Sequence, residues 1–339
     1  MRKVAGLDAH STYVVVTIVS NAGEVIAGPK RIANDDADRL KGLLEQHAPL
    51  EVVVEASGSW PWIFDRLEGP NVHVVIAHPK RLRAIAESNY KTDAIDAELL
   101  ARMRLVNLIP EVYPKPLGQR ELATLVRHRA RLVRQRTGTA GRIHAELHSV
   151  GLSLRRGELL TKAGRQWVHT EAWPLFGPEQ RLLTKTHERL VDLLNEMIRE
   201  LDRRIERTGS EIPAVQLLET VPGIGPYRAL LIVSETHPID RFEHPKHLVS
   251  YAGLAPRSSR SGKSVRYGSI PAGANRWLRN VFVQAALTHC RTAPDSPLTT
   301  YYTEQKERVG WRVARIATAR KLARVVHAML RTGEVWSHA

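Results

Sequence analysis

The first 110 residues alternate short apolar runs with amphipathic stretches. Runs rich in β-branched and other apolar residues predict strands, at 4–8, 13–20, 24–32, 51–57 and 72–77. Apolar positions at helical spacing predict helices, over 35–47, 60–68, 80–88 and 93–106. This region is therefore expected to be an α/β domain.

The order of these elements is more informative than their number. Three strands are followed by a helix, a strand, a helix, a strand and further helices, which is the order of an RNase H-like sheet. In such a sheet the first and fourth strands lie side by side. We therefore assign residues 1–110 to one RNase H-like domain.

Helical periodicity dominates the chain beyond residue 110. The Pro-rich stretch 109–118 is a plausible linker, and two long helices are predicted, over about 122–150 and 179–207. The second has apolar residues near heptad spacing. The pattern leaves two possibilities open for 111–211: an antiparallel or dimerising coiled-coil arm, or two amphipathic helices on one core.

Residues 212–339 form a third predicted domain, mainly helical and interrupted by a Gly/Ser/Arg-rich loop at 253–273. The stretch "LLETVPGIGPYRALLIVSE" at 217–235 has the form of a helix-hairpin-helix. Gly223 and Gly225 permit a tight turn whose backbone N–H groups can face a phosphate, beside a helix N-terminus. The alternative is an ordinary Gly-rich connection between two helices.

Charge is distributed unevenly along the chain. Residues 1–110 carry 13 Lys and Arg against 14 Asp and Glu, whereas 111–339 carry 37 against 21. A basic half that is rich in Arg is typical of a protein that binds a polyanion, and it favours nucleic acid as the partner.

Other compositional features exclude several classes of protein. Cys290 is the only cysteine, which excludes an intramolecular disulfide and a CxxC zinc site. The chain has no apolar run of about 18 residues and no charged-then-apolar leader, so we expect neither a membrane span nor a secretory signal. These features are typical of a cytoplasmic protein.

Four carboxylates occupy positions that the predicted sheet would bring together. Asp8 ends the first strand and Glu55 ends the fourth, while Asp93 and Asp96 share one face of the following helix. The aspartates alone could simply cap that helix. Four hard oxygen donors at one point, however, favour a divalent cation, Mg²⁺ or Mn²⁺, that acts on a phosphodiester.

The Gly/Ser/Arg-rich loop offers a second kind of chemistry. Serines alternate with cations in it: Ser258, Ser259, Ser261 and Ser264 lie among Arg257, Arg260, Lys263 and Arg266. Such a serine is either a passive phosphate-binding group or, when deprotonated, a nucleophile. From the chemistry of the loop alone, passive phosphate binding is favoured. No Asp or His nearby completes a hydrolase triad.

Specific motifs add a resemblance to a known family. "GLDAH", "VVVEASGSW" and "HPKRLRAIAESNYKTDAIDAELLARM" resemble the DEDD transposases of an insertion-sequence family that includes Piv-type DNA invertases and bridge-RNA-guided recombinases. Nearer the C-terminus, "VPGIGPYRA", "RFEHPKHLVSYAGLAP", an S-G step and "GANRWLRN" resemble the same family. The glutamate motif of the family is often E-x-T-G, and "EASG" differs only in having serine for threonine.

The resemblance implies roles for individual residues. It implies a RuvC-like domain whose metal is held by Asp8, Glu55, Asp93 and Asp96. It also implies a C-terminal domain in which Ser261 attacks DNA to form a covalent phosphoserine, with Ser258 and Ser259 as nearby alternatives. The resemblance thus reverses the preference for passive phosphate binding.

The resemblance also implies partners. They are donor and target DNA, a noncoding bridge RNA and further copies of the chain, in a dimer or tetramer. The protein would be bacterial and cytoplasmic, and associated with the nucleoid when bound to DNA. Candidate RNA contacts in the arm are Arg127, Arg131 and Arg134.

Two other functions remain open from the sequence. One is a RuvC-like, structure-selective DNA endonuclease that uses water as the nucleophile. The other is a non-catalytic nucleic-acid binder whose carboxylates are structural.

Overall fold

The chain forms two compact units, Met1–Leu117 and Gly118–Ala339. The computed structural model describes residues 2–85, 92–155, 157–256, 258–261, 264–268 and 273–337.

The first unit is a six-stranded mixed sheet with helices. Its strands are β1 (Val4–Ala9), β2 (Tyr13–Val19), β3 (Val25–Ala33), β4 (Leu50–Glu55), β5 (Val72–Ala77) and β6 (Glu111–Val112). Its helices are α1 (Ala37–Glu45), α2 (Trp60–Leu67), α3 (Pro79–Arg83) and α4 (Asp93–Leu105). The strands pair in the order β3-β2-β1-β4-β5-β6, and β1 and β4 are parallel neighbours. The predicted adjacency of the first and fourth strands is therefore confirmed, and the topology fits an RNase H-like domain.

In the first unit, two predicted elements differ from the structure. The predicted helix over 80–88 corresponds to the shorter α3, and residues 86–91 lie outside the described part of the chain. Part of the predicted linker 109–118 forms β6, which pairs with the edge of β5. Prolines at 110, 114 and 116 leave room for only a short strand there, because proline donates no backbone hydrogen bond. The strand therefore gives little signal in the sequence.

Successive side chains of β1 point to opposite faces of the sheet and so belong to different cores. Ala5 and Leu7 belong to the core that α1 and α2 cover, whereas Val4 belongs to the core beneath α4. Gly6 and Asp8 follow Val4 by two and four residues along the strand, so they lie on the same face of the sheet, the one that α4 covers. A methyl group added at Gly6 would lie 1.8 Å from the carbonyl oxygen of Ala97. The absence of a side chain at Gly6 therefore allows α4 to lie directly on β1.

The far end of α4 is held by an ion-pair network. Arg104, in its last turn, donates from Nε to Glu51 Oε2 on β4 at 2.5 Å, and Arg2 donates to Glu51 Oε1 at 2.8 Å. Burial alone would raise the pKa of Glu51, but the hydrogen bonds from both arginines bring this pKa below its usual value. The network therefore fixes the position of α4 along the strands as well as its contact with the sheet.

The second unit is mostly helical. Its helices are α5 (Leu117–Ser149, whose first residue belongs to the first unit), α6 (Lys162–Trp167), α7 (Pro178–Gly209), α8 (Pro213–Glu219), α9 (Pro226–Thr236), α10 (Pro245–Tyr251), α11 (Arg276–Thr292), α12 (Pro297–Val309) and α13 (Trp311–Thr332). The two long predicted helices are confirmed as α5 and α7. They share a small buried cluster made by Leu132, Leu194 and Ile198. A larger core joins α8 to α13 and part of α5.

The region predicted as a loop over 253–273 contains two strands. They are β7 (Ser258–Ser261) and β8 (Ser264–Tyr267), which pair antiparallel with Ser261 opposite Ser264. Residues 262 and 263, which connect them, lie outside the described residues. Serine and arginine gave no strand signal because the pairing uses backbone groups and needs no alternation of apolar residues.

No helix within the described residues has the length and apolar character needed to cross a membrane.

Replacing Gly6 with alanine should destabilise the first unit. We expect Gly6→Ala to lower the free energy of opening of β1 and α4 by about 2 kcal/mol or more, because the added methyl overpacks the contact with Ala97. Native-state hydrogen exchange of their amides measures this quantity.

Gly42 provides a matched control for this substitution. It lies within α1, and an added methyl would meet nothing within 4 Å. Gly42→Ala should therefore stabilise the unit slightly. Equal protection of β1 in the Gly6→Ala variant and the wild type would refute the role given to Gly6.

Candidate active site

The first turn of α4 carries both candidate aspartates, but neither caps the helix. The N-cap is Thr92, whose hydroxyl accepts a hydrogen bond from the backbone N–H of Ile95 at 3.3 Å. Thr92 thus satisfies the backbone as a capping residue does. The carboxylates of Asp93 and Asp96 are therefore not needed to cap the helix.

Asp8, Glu55 and Asp96 line one cavity. Asp8 and Glu55 lie at the ends of the neighbouring strands β1 and β4, on the face that α4 covers. The cavity has a volume of about 240 Å³, and Arg83 of α3 also lines it. Three of the four predicted carboxylates therefore converge at this edge of the sheet.

Asp93 lies beside Asp8 but contacts a different set of groups. The Tyr13 hydroxyl donates to Asp93 Oδ2 at 2.9 Å. His10 Nε2 lies 3.0 Å from Asp8 Oδ2 and 3.4 Å from Asp93 Oδ2. Ligand atoms of Asp8, His10 and Asp93 all lie within 4.8 Å of one another. His10 therefore links the carboxylate of the strand to that of the helix.

His10 and Tyr13 were not among the residues selected from the sequence. Their rings stack with centroids 4.5 Å apart, and the Arg31 guanidinium lies 3.5 Å from the Tyr13 ring centroid. One signal was available: His10 follows Asp8 by two residues, the spacing that keeps two side chains on one face of an extended chain. Tyr13 and Arg31 reach the site only through the pairing of β1, β2 and β3.

The electrostatics of Asp8 are unfavourable for its charged form. Burial raises the pKa of Asp8, and the charges of Asp93 and Asp96 raise it further, although the hydrogen bond and charge of His10 oppose them. Carboxylates held this close gain from a neutralising cation, and their oxygens are the ligands that hard divalent ions prefer. The donor set therefore fits a divalent metal.

The serine hairpin formed by β7 and β8 carries the second candidate group. Ser261 is the last residue of β7, directly before the connection to β8. Arg260 pairs with Val265, and Arg266 pairs with Ser259, along the same ladder. The predicted contacts Arg257 and Lys263 lie outside the described residues.

A buried glutamate lies where the segment with the serine hairpin begins and ends. The backbone N–H of Asn275, at the start of α11, donates to the Tyr251 carbonyl at 2.8 Å and so joins the two ends of this segment. The Asn275 side chain donates to Glu235 Oε2 at 2.8 Å. Glu235 is fully buried and also accepts from Arg127 Nε at 2.7 Å.

The arginines predicted to contact RNA therefore differ in their surroundings. Arg127 is engaged in the ion pair with Glu235, so its guanidinium already has a structural partner. Arg131 and Arg134 are exposed on α5.

The two glycines of the predicted phosphate turn also differ. Gly223 has a φ of +90°, and an added methyl would lie 2.6 Å from the His289 backbone nitrogen of α11. Packing thus explains glycine at 223 without a phosphate. Gly225 is the N-cap of α9 and has open space around it. It lines a groove of about 530 Å³ between α5, α9 and α11.

This groove contains a half-buried cation, Arg228. Burial lowers the pKa of Arg228, and the nearby charges of Arg291 and Arg129 lower it as well. The Arg228 guanidinium donates to the Gly223 carbonyl. Arg129, which also lines the groove, already pairs with Asp202 at 2.8 Å. An anion in the groove would relieve the repulsion at Arg228.

Comparisons with known proteins identify the family. A model of the DEDD transposases of the IS110 type matches residues 5–151, which include all four carboxylates. A second model, described as "Transposase IS116/IS110/IS902 family", matches residues 215–303 and includes the serine hairpin. These fold and sequence features define a transposase of the DEDD class.

Individual relatives extend along most of the chain. The transposase for insertion sequence element IS1328 of Yersinia enterocolitica is 30% identical over 302 residues, covering 88% of this chain and 89% of the relative. The pilin gene-inverting protein of Moraxella bovis is 27% identical over 292 residues, covering 83% and 80%. The chain belongs to the IS110/IS116 family of insertion-sequence transposases and is thus a DNA-acting enzyme.

Removing the charge of Asp8 should stabilise the metal-free protein. The folded state favours protonated Asp8, so the stability it contributes below the unfolded pKa near 3.8 is lost as the pH rises through the raised folded pKa. In EDTA at pH 7, Asp8→Asn should raise the melting temperature by a few degrees. At pH 4 the difference from wild type should shrink.

Thermal unfolding of the full chain between pH 4 and 8 measures both effects. The exposed Asp35 supplies the control, since Asp35→Asn removes a carboxylate that belongs neither to the cavity nor to the cluster around His10. A lower melting temperature for Asp8→Asn at pH 7 would contradict the unfavourable charge at Asp8.

Proposed function

We propose that this transposase is a recombinase that cuts and rejoins DNA through a covalent phosphoserine at Ser261, with a metal bound by Asp8, Glu55, Asp93 and Asp96. The convergence of these carboxylates at the edge where β1, β4 and α4 meet is the observation that carries the proposal. One family model matches a segment that includes the serine hairpin, and this match supports the role proposed for Ser261.

The carboxylates suit Mg²⁺ or Mn²⁺, because both are hard ions that bind oxygen ligands. When bound, such an ion stabilises negative charge on the phosphodiester and its leaving oxygen. Asp8 and Glu55 would supply ligands from rigid strands. Asp93 and Asp96 would supply them from the first turn of α4, which Gly6 allows to lie against the sheet.

The reaction that we propose consists of two transfers. In the first, the Ser261 oxygen forms a bond to phosphorus while the bond from phosphorus to the leaving strand breaks. The hydroxyl proton passes to solvent or a nearby base, and the leaving oxygen takes up a proton. In the second transfer, a hydroxyl end of another strand attacks the phosphoserine and releases Ser261. The phosphodiester count is conserved, so rejoining needs no external energy source.

The domains would divide these tasks. We propose a RuvC-like domain at 1–110, a helical arm at 111–211 and a serine domain at 212–339. The turn between α8 and α9 would act as the hairpin of a helix-hairpin-helix, contacting DNA phosphates through Gly225 and the start of α9. The cations Arg257, Arg260, Lys263 and Arg266 would bind phosphates around the serine.

Exposed residues of the arm support the two remaining proposed partners, which are further copies of the chain and a bridge RNA. Apolar side chains stand exposed along α7, among them Leu183, Leu190 and Met197 at seven-residue spacing. Such a stripe suits a coiled coil between copies of the chain, as a dimer or tetramer, which light scattering of the full chain tests.

Arg131 and Arg134 are the candidate contacts to a bridge RNA, and RNA retained on purification would support that role.

Arg228 should contribute a phosphate contact in the groove beside Gly225. Replacing it with glutamine should weaken DNA binding to a similar degree on every sequence and reduce the slope of log affinity against log salt by about 1. Fluorescence anisotropy with labelled duplexes at several salt concentrations measures this slope. The exposed Arg308 on α12 is the control. An unchanged slope for Arg228→Gln would remove the groove from the DNA interface.

The decisive experiment looks for a protein–DNA adduct that survives denaturation. The full chain is incubated with its native flanking DNA and Mg²⁺ or Mn²⁺, and the wild type is compared with Ser261→Ala and Asp93→Ala. We expect an adduct in the wild type alone, because both the nucleophile and the metal ligands are required. Ser259→Ala controls for the choice of serine, and peptide mapping of the adduct identifies the attached residue.

The other outcomes distinguish the alternatives. Nicking that requires Asp93 but not Ser261, with no adduct, would identify a RuvC-like endonuclease that uses water. DNA binding without strand cleavage in any variant would identify a non-catalytic binder. An adduct on Ser258 or Ser259 would keep the mechanism and correct the residue.

A further inference from the structure

We propose that His10 is a nitrogen ligand of the divalent cation, together with Asp8 and Asp93. This inference rests on the proposed metal site and adds to it a side chain outside the four carboxylates. It also predicts which ion the site prefers.

The positions of three atoms carry the inference. One nitrogen, His10 Nε2, faces two carboxylate oxygens at once: Asp8 Oδ2 at 3.0 Å and Asp93 Oδ2 at 3.4 Å. Adjacent ligands of an octahedral ion with bonds of about 2.1 Å lie about 3 Å apart. The two distances from His10 Nε2 are therefore compatible with ligands around one ion, and the ligand atoms of all three residues lie within 4.8 Å of one another.

The backbone of His10 is fixed from three directions. Its N–H donates to the Tyr13 carbonyl at 2.9 Å, and its carbonyl accepts from Asn34 Nδ2 at 3.1 Å and from Ser59 Oγ at 3.1 Å. These partners come from the start of β2, the end of β3 and the start of α2. The turn that carries His10 is therefore held in place before any ion binds.

The ring of His10 is also oriented. It stacks on Tyr13 with an angle of 26° between the two planes, and the Tyr13 hydroxyl donates to Asp93. Arg31 packs on the Tyr13 ring at 3.5 Å. Groups behind a metal ligand commonly fix its orientation in this way. Tyr13 thus positions both His10 and Asp93.

Asp8 takes part in two groups of ligands. With Glu55 and Asp96 it lines the cavity under α4, and with His10 and Asp93 it forms the cluster at the turn. The first group offers oxygen alone, whereas the second includes an imidazole. Imidazole favours transition metals over Mg²⁺, so of the two proposed ions the cluster with His10 should prefer Mn²⁺ to Mg²⁺.

Electron spin-echo spectroscopy of Mn²⁺ bound to the full chain, without DNA, tests this directly. Coupling to an imidazole nitrogen should be visible in the wild type, change when histidine is labelled with ¹⁵N, and vanish in His10→Ala. His73, which is exposed on β5 and pairs with Glu68, provides the control, because His73→Ala should keep the coupling. By calorimetry, His10→Ala should weaken Mn²⁺ binding about tenfold or more and Mg²⁺ binding less.

The outcomes separate this inference from the proposed metal site. Mn²⁺ that binds in an Asp8-dependent manner without histidine coupling would refute the role of His10 and leave the carboxylate site intact. Mn²⁺ binding that is unchanged in Asp8→Asn and Asp93→Ala would refute the metal site itself. A wild-type spectrum without histidine coupling would refute the role of His10 even if His10→Ala fails to fold.

Discussion

The contact between helix α4 and strand β1 is the constraint on which the candidate metal site depends. Helix and sheet normally keep their backbones apart by the thickness of their side chains, but Gly6 has none, so the carbonyl of Ala97 lies against it. The first turn of α4 is thereby brought down to the edge of the sheet, where β1 ends at Asp8. At the other end of the helix, Arg104 binds Glu51 and fixes its position along the sheet.

This arrangement concentrates negative charge in a unit whose sequence is otherwise close to neutral. The cost is visible at Asp8, whose pKa is raised by burial and by its acidic neighbours. The hydrogen bond and charge of His10 offset part of that cost. The same pressure makes the site suited to a cation, because a divalent ion neutralises several carboxylates at once. The predicted instability without an ion and the proposed affinity for one thus have one origin.

In the second unit the charged groups of interest are arginines rather than carboxylates. Its arginines are divided between structural ion pairs and exposed or half-buried positions. Arg127 stabilises the buried Glu235 next to the residues that join the ends of the serine segment, whereas Arg228 lies in a groove among other cations. Sequence counts treat these residues alike, and only their partners distinguish an arginine that holds the fold from one available to a phosphate.

Much of the fold and the four carboxylates followed from the sequence. Strand and helix periods are local properties, and a carboxylate at the end of a buried strand stands out against its apolar neighbours. The element order was enough to expect β1 beside β4. The close approach at Gly6 and the arrival of Tyr13 and Arg31 at the site depend instead on packing and pairing between distant segments, which leaves no periodic trace. The sequence by itself thus determined which candidate groups are present and on which elements they lie. The tertiary structure decided which side chains meet, because distances across a sheet are set by packing.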